Sequence, residues 1–138
     1  MKIVLDSNVL ISAIGRKSEN RIIWDSFLKN LFTIVITPSI LLEYEEILQQ
    51  KAAPGASELI IEIFKEIPNV IFRDTFFHWH MISKDEDDNK FFDAAVAEQV
   101  DYLVSNDRHF IEAIQKGFPF VKIISSDSFK SIIENIEK

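Results

Sequence analysis

Cysteine is absent from the 138 residues, which rules out disulfides, thiolate nucleophiles and cysteine zinc sites. Only three glycines and four prolines interrupt the chain. Regular elements with short connections are therefore expected, without a flexible linker between two domains. Nor is there any internal repeat or low-complexity tract. No run approaches the ~20 apolar residues that a bilayer-crossing helix needs. The opening MKIVLDSNVLISAI is apolar, but Asp6 and Asn8 interrupt it and no small-residue cleavage site follows, so it fails as a secretory signal. A soluble cytoplasmic protein without membrane attachment is expected. Basic residues are also outnumbered, 15 against 22 acids, for a net charge of −7. That balance excludes a protein that simply coats nucleic acid through lysine and arginine. An acidic protein can still act on a polyanion when divalent cations sit among its acids.

What is present is ordinary globular material: 47% hydrophobic and 27% charged residues, enough for one core in a single domain spanning 1–138. Five apolar runs, 2–6, 33–37, 70–72, 102–106 and 121–125, lack polar alternation and read as buried strands. Between them lie segments with apolar residues at helical spacing. Ile22, Ile23, Phe27, Leu28 and Leu31 mark one; Ile40, Leu41, Tyr44, Ile47 and Leu48 mark another, opened by Pro38 at a first helical position. SELIIEIFKEI, NKFFDAAVAEQV and RHFIEAIQK follow, the last stopped by Gly117. The closing segment SDSFKSIIENIEK has Ser126 as its expected N-cap. Buried strands separated by helices predict an α/β three-layer sandwich: a central, mostly parallel five-stranded sheet flanked by helices. In such sheets ligands gather outside the carboxyl ends of the strands, where strand order reverses.

Acids stand at those ends. Asp6 closes the first strand and opens a loop as D-S-N, with Asn8 or Ser7 as a hydrogen-bonding helper; the alternative is a plain helix cap. Glu43 falls beside Ile40 and Ile47, at the margin of a buried helical stripe. Asp107 follows the fourth strand, either capping the next helix or facing Asp6 if the first and fourth strands are neighbours. Asp85, Glu86, Asp87 and Asp88 are consecutive at the mouth of an apolar helix. A helix dipole rewards an acid there by about 0.3–1 kcal/mol, a benefit that a single cap collects. Four together repel one another, so the cluster favours a cation site over a solvated loop. Oxygen ligands without cysteine suit Mg²⁺ or Mn²⁺. Such cations clamp phosphate oxygens and activate water for in-line attack, which makes phosphodiester hydrolysis the natural chemistry.

The order IVLDSNVL, TPSILLEYEEIL, DEDDNKFFDAA and DYLVSNDRHF resembles the PIN-domain nucleases, and is most similar to the bacterial branch of toxin components from toxin–antitoxin pairs. The likeness runs from residue 2 to about residue 128. It implies a PIN-like fold, a divalent-metal-dependent endoribonuclease activity, an antitoxin partner and a homodimer, which the apolar helix faces permit. The family's acidic quartet maps onto Asp6, Glu43, Asp88 and Asp107 as catalytic metal ligands, with Asp87 the alternative to Asp88. Its polar helper maps onto Asn8, and Ser105 matches the small hydroxyl residue near the last acid. Ser7 stands where threonine is commoner, SND replaces threonine–glycine–aspartate, and Glu86 replaces a frequent proline.

The expected activity is thus RNA hydrolysis, with Arg16, Lys84, Lys90 and Arg108 neutralising the RNA backbone near the cleft. Two other readings compete. A different Mg²⁺-dependent phosphohydrolase with an aspartyl nucleophile would carry D-x-D after the first strand, where this chain has Asn8. A catalytically silent PIN-like module that binds a protein partner would tend to lose acids. His78 and His80 around Trp79 read as packing, with stacking on bases as a second option. His109 reads as a first-turn helix residue.

Overall fold

The strands form where the expected apolar runs fall, shorter by a residue or more in most cases. β1 (Lys2–Leu5), β2 (Thr33–Ile36), β3 (Val70–Phe72), β4 (Tyr102–Val104) and β5 (Ile123–Ile124) make one sheet in the order β3-β2-β1-β4-β5. Every pairing is parallel, with Ile3 beside both Ile34 and Tyr102. Consecutive buried residues, Ile3, Val4 and Leu5 in β1 and Ile34, Val35 and Ile36 in β2, are what a sheet covered on both faces requires. The coordinates are a computed structural model, which describes residues 1–74, 89–108, 110 and 121–137. His109 and residues 111–116 of the helix expected from 108 to 116, the acids Asp85 to Asp88, and His78 and His80 lie outside the described residues.

The helices are α1 (Ser7–Ile14), α2 (Arg21–Leu28), α3 (Pro38–Lys51), α4 (Ala56–Glu66), α5 (Asn89–Ala97) and α6 (Ser126–Glu137). The expected D-S-N loop is not a loop. Asp6 is extended (φ −63°, ψ 146°) and α1 begins at the next residue. The Leu10 amide donates to the Asp6 carbonyl at 3.0 Å, which starts the helical ladder. α1 buries Val9, Leu10 and Ala13, a helical spacing that its β-branched composition hides. Pro38 does open α3, with the Thr37 hydroxyl accepting from the Ile40 amide at 3.3 Å. The cap of α6 is a correction: the hydroxyl that accepts from the first turn is that of Ser125, from Ser128 at 3.1 Å, and Ser126 turns inward instead. Between α3 and α4 the chain reverses through Gly55 at φ +86°, a conformation that L side chains resist.

A chain of rings ties the layers together. Trp24 and Phe27 of α2, Phe64 of α4, and Tyr44 of α3 stack with centroids 5.3–5.9 Å apart. Phe91 of α5 joins at 6.3 Å from Tyr44. On another side Phe27 meets Phe32, and Phe32 meets Phe129 of α6 edge-on at 5.0 Å. Asn69 ties β3 to the connection before β2. Its buried amide donates to the carbonyls of Phe27 and Phe32, both at 2.8 Å. No helix among the described residues is long and apolar enough to cross a membrane.

Candidate active site

Strand order reverses between β1 and β4: the chain runs outward from β1 to β2 and β3, then returns to lie beside β1 on its other side. The carboxyl ends of these two strands deliver Asp6 and Asp107 to the same edge. The Asp6 amide donates to the Val104 carbonyl at 3.0 Å, prolonging the β1–β4 ladder by one rung. This fixes the first acid at the switch point, where α/β sheets bind ligands. The two residues expected to meet if those strands were neighbours are therefore brought together.

Ser105 joins them. Its hydroxyl donates to Asp6 Oδ2 at 2.8 Å and accepts from the Asp107 amide at 3.0 Å. Both Asp6 and Ser105 are buried. Behind the loop, Asn106 and Ser126 exchange two hydrogen bonds, the Ser126 amide to Asn106 Oδ1 at 2.9 Å and Asn106 Nδ2 to Ser126 Oγ at 3.0 Å. The start of α6 thereby holds the Ser105–Asp107 turn.

Glu43 arrives from α3, and its neighbour Tyr44 explains how it is positioned. The Tyr44 hydroxyl, fully buried, donates to the carbonyl of Leu5, the residue before Asp6. Adjacent residues of α3, Glu43 and Tyr44, thus reach Ser7 and Leu5, the residues on either side of Asp6. Burial, with the charges of Asp6 and Glu43, pushes the Tyr44 hydroxyl well above its ordinary value, so it stays a donor. Ser7 donates to Glu43 Oε2, and the Lys90 ammonium lies 3.0 Å from Oε1. Of the two helpers weighed beside Asp6, Ser7 touches an acid, as Ser105 does, whereas Asn8 is exposed on the first turn of α1. Lys90, expected to face the RNA backbone, is paired with Glu43. Arg108 is exposed, beside Asp107 on the rim of a shallow cavity of about 250 Å³.

The electrostatics of this cluster are unfavourable to its own central acid. The pKa of Asp6 stands raised from 3.8 to about 6, chiefly by burial and also by the charges of Asp107 and Glu43, against the lowering pull of the Ser105 hydrogen bond and the Ser7 amide. A cation in the cluster would relieve that burden. The donors are all oxygens, which fits a hard divalent ion. Among the described residues, no three acid or histidine side chains close on one point tightly enough to hold a metal; Asp88 is outside them. One acid escaped the sequence reading. Asp93 is buried on α5, inside the contiguous run Phe91–Ala95. Its signal was an acid set within an apolar stripe, FFDAA.

Comparison with known proteins agrees with this architecture. The structure of VapBC2 from Rickettsia felis, bound to a DNA fragment from their promoter, superposes with a TM-score of 0.62 at 18% identity, covering 91% of this chain and 98% of that one. FitAB bound to the IR36 DNA fragment gives 0.58 at 12% identity, covering 90% and 94%. FitAcB from Neisseria gonorrhoeae gives 0.57 at 11%, covering 90% and 97%. At these identities the likeness establishes the fold alone. No curated protein matches in sequence. A family profile described as PIN domain matches residues 2–109, a span that holds both strand ends and the helices between them, and the chain belongs to the PIN-domain family.

Proposed function

We propose that the protein is a divalent-metal-dependent endoribonuclease, the toxin of a toxin–antitoxin pair, acting in the cytoplasm. The observation that carries this reading is the buried Asp6 at the sheet's switch point, burdened by the charges of Glu43 and Asp107. Asp6 and Asp107 would hold Mg²⁺ or Mn²⁺ directly, with Asp88 and Glu43 completing the set. When bound, the ion supplies Lewis-acid polarisation of a phosphate and an acidified water. The protein's own part is orientation. Ser105 fixes which way the Asp6 carboxylate turns. Tyr44 and Ser7 fix Glu43 against the β1 end. Arg108, exposed on the rim beside Asp107, would take a backbone phosphate as the strand crosses.

The test is cleavage of a mixed RNA pool with and without EDTA, followed by end mapping. Metal-dependent cleavage by the wild type and its loss in a folded Asp6→Asn variant are expected. Cleavage retained in that variant would reject the site.

A partner-binding role rests on a different observation. An apolar groove of about 700 Å³ runs between α1, α2 and the α3–α4 turn, floored by Ile11, Trp24, Leu59 and Ile63 and edged by Arg16 and Lys51. Basic rims on an acidic protein suit an amphipathic helix with acidic flanks, the antitoxin expected from the family resemblance. Co-expression with the product of the adjacent gene tests this, and Leu59→Glu, at a residue 62% exposed, should abolish co-purification. A silent binding module would show that complex without any cleavage. A homodimer is the expected quaternary state, read by light scattering.

A further inference from the structure

Glu43 has both carboxylate oxygens engaged by its own chain. Lys90 of α5 holds Oε1 at 3.0 Å and Ser7 of α1 holds Oε2. Three helices therefore meet on one carboxylate. Ser7 is buried, whereas the side chains of Lys90 and Glu43 keep 21% and 20% exposure. The clasp thus sits at the rim, where an ion arriving from solvent would meet it first.

Lys90 is in the first turn of α5, the end of a helix that disfavours a cation. Its place there runs against the helix and is compensated by Glu43. Its long flexible stem lets the ammonium leave without moving the backbone. We propose that Lys90 is a resident counter-ion, holding on Glu43 the seat that a divalent cation takes. Loading the site is then an exchange of cations, not an addition to an open cluster. The protein so built stays unloaded until divalent ion is abundant enough to displace its own lysine. This inference rests on the metal-dependent reading of the site.

A double-mutant cycle on metal affinity tests it, without recourse to activity. Mn²⁺ is titrated calorimetrically into the wild type, Lys90→Met, Glu43→Gln, and the double variant, with Asp6→Asn as the control that removes the site. Circular dichroism melts verify folding, and Lys90→Gln replaces Lys90→Met if the latter aggregates. The expected result is about fivefold tighter Mn²⁺ binding in Lys90→Met, the scale of a partly exposed ion pair. In the Glu43→Gln background the same change should alter affinity by roughly twofold or less. Equal tightening in both backgrounds would mean that Lys90 acts only by distant charge, and would overturn the clasp while leaving the metal site standing. No tightening in Lys90→Met overturns it too. No Mn²⁺ binding by any variant, wild type included, would overturn the metal reading itself, and the clasp with it.

Discussion

Ser105 stands 99 residues from Asp6 in the chain, yet its hydroxyl donates to the Asp6 carboxylate at 2.8 Å. The same oxygen accepts from the amide of Asp107, so one small side chain sets the orientation of the first acid and the approach of the last. Because this bond favours the ionised form of Asp6, Ser105→Ala should move Asp6 ionisation to higher pH. The check is a carboxyl-carbon NMR titration; an unchanged or lower midpoint would contradict it. The fold should lose about 1 kcal/mol, as for one ordinary hydrogen bond.

The pKa of Asp6 itself makes stability depend on pH. Folded Asp6 ionises at about 6 against an ordinary 3.8, so between those values the folded protein keeps a proton that the unfolded chain releases. Stability therefore falls as pH rises through this window, and the deficit is complete above it. The scale is about 3 kcal/mol. Asp6→Asn cannot ionise and should escape the loss. In metal-free urea unfolding, the variant should gain on the wild type steadily from about pH 4 to about pH 7. A difference that stays flat over that range would refute the assignment.

Tyr44→Phe removes the donor that ties α3 to the Leu5 carbonyl and leaves that buried oxygen unpaired. About 1–3 kcal/mol of stability should go with it. Unlike a remote core change, it should also weaken Mn²⁺ binding, since Glu43 adjoins the lost anchor. Calorimetry on the folded variant reads that second effect.

Phe129→Ala offers the contrasting case. The ring is fully buried against Phe32, far in role from the acids, and its loss should cost about 3–5 kcal/mol. Metal affinity in the surviving folded fraction should stay at the wild-type level.

The sheet was legible in the sequence because a strand buried on both faces writes itself as an unbroken apolar run: KIVL and TIVI need no partner to be recognised. α1 was not, since SNVLISAI carries the β-branched residues of a strand and its helical periodicity spans barely two turns. The acids at the strand ends could be picked out from position alone. What holds them could not. Tyr44 read as one more apolar helix residue because its acceptor lies 39 residues earlier, and the clasp of Ser7 and Lys90 on Glu43 joins three helices that share no local pattern. Asp93 was passed over because an acid inside FFDAA looks like an interruption of a core stripe, whereas the helix is buried on nearly every side there.

The return of β4 to the flank of β1 has a temporal side. During synthesis Asp6 leaves the ribosome long before the residues that orient it exist. A polypeptide stalled anywhere short of the fourth strand lacks Ser105 and Asp107 altogether, and its edge at β1 is open. A chain interrupted before the fourth strand therefore carries Asp6 without the residues that orient it, and the cluster is assembled only once synthesis has passed Asp107.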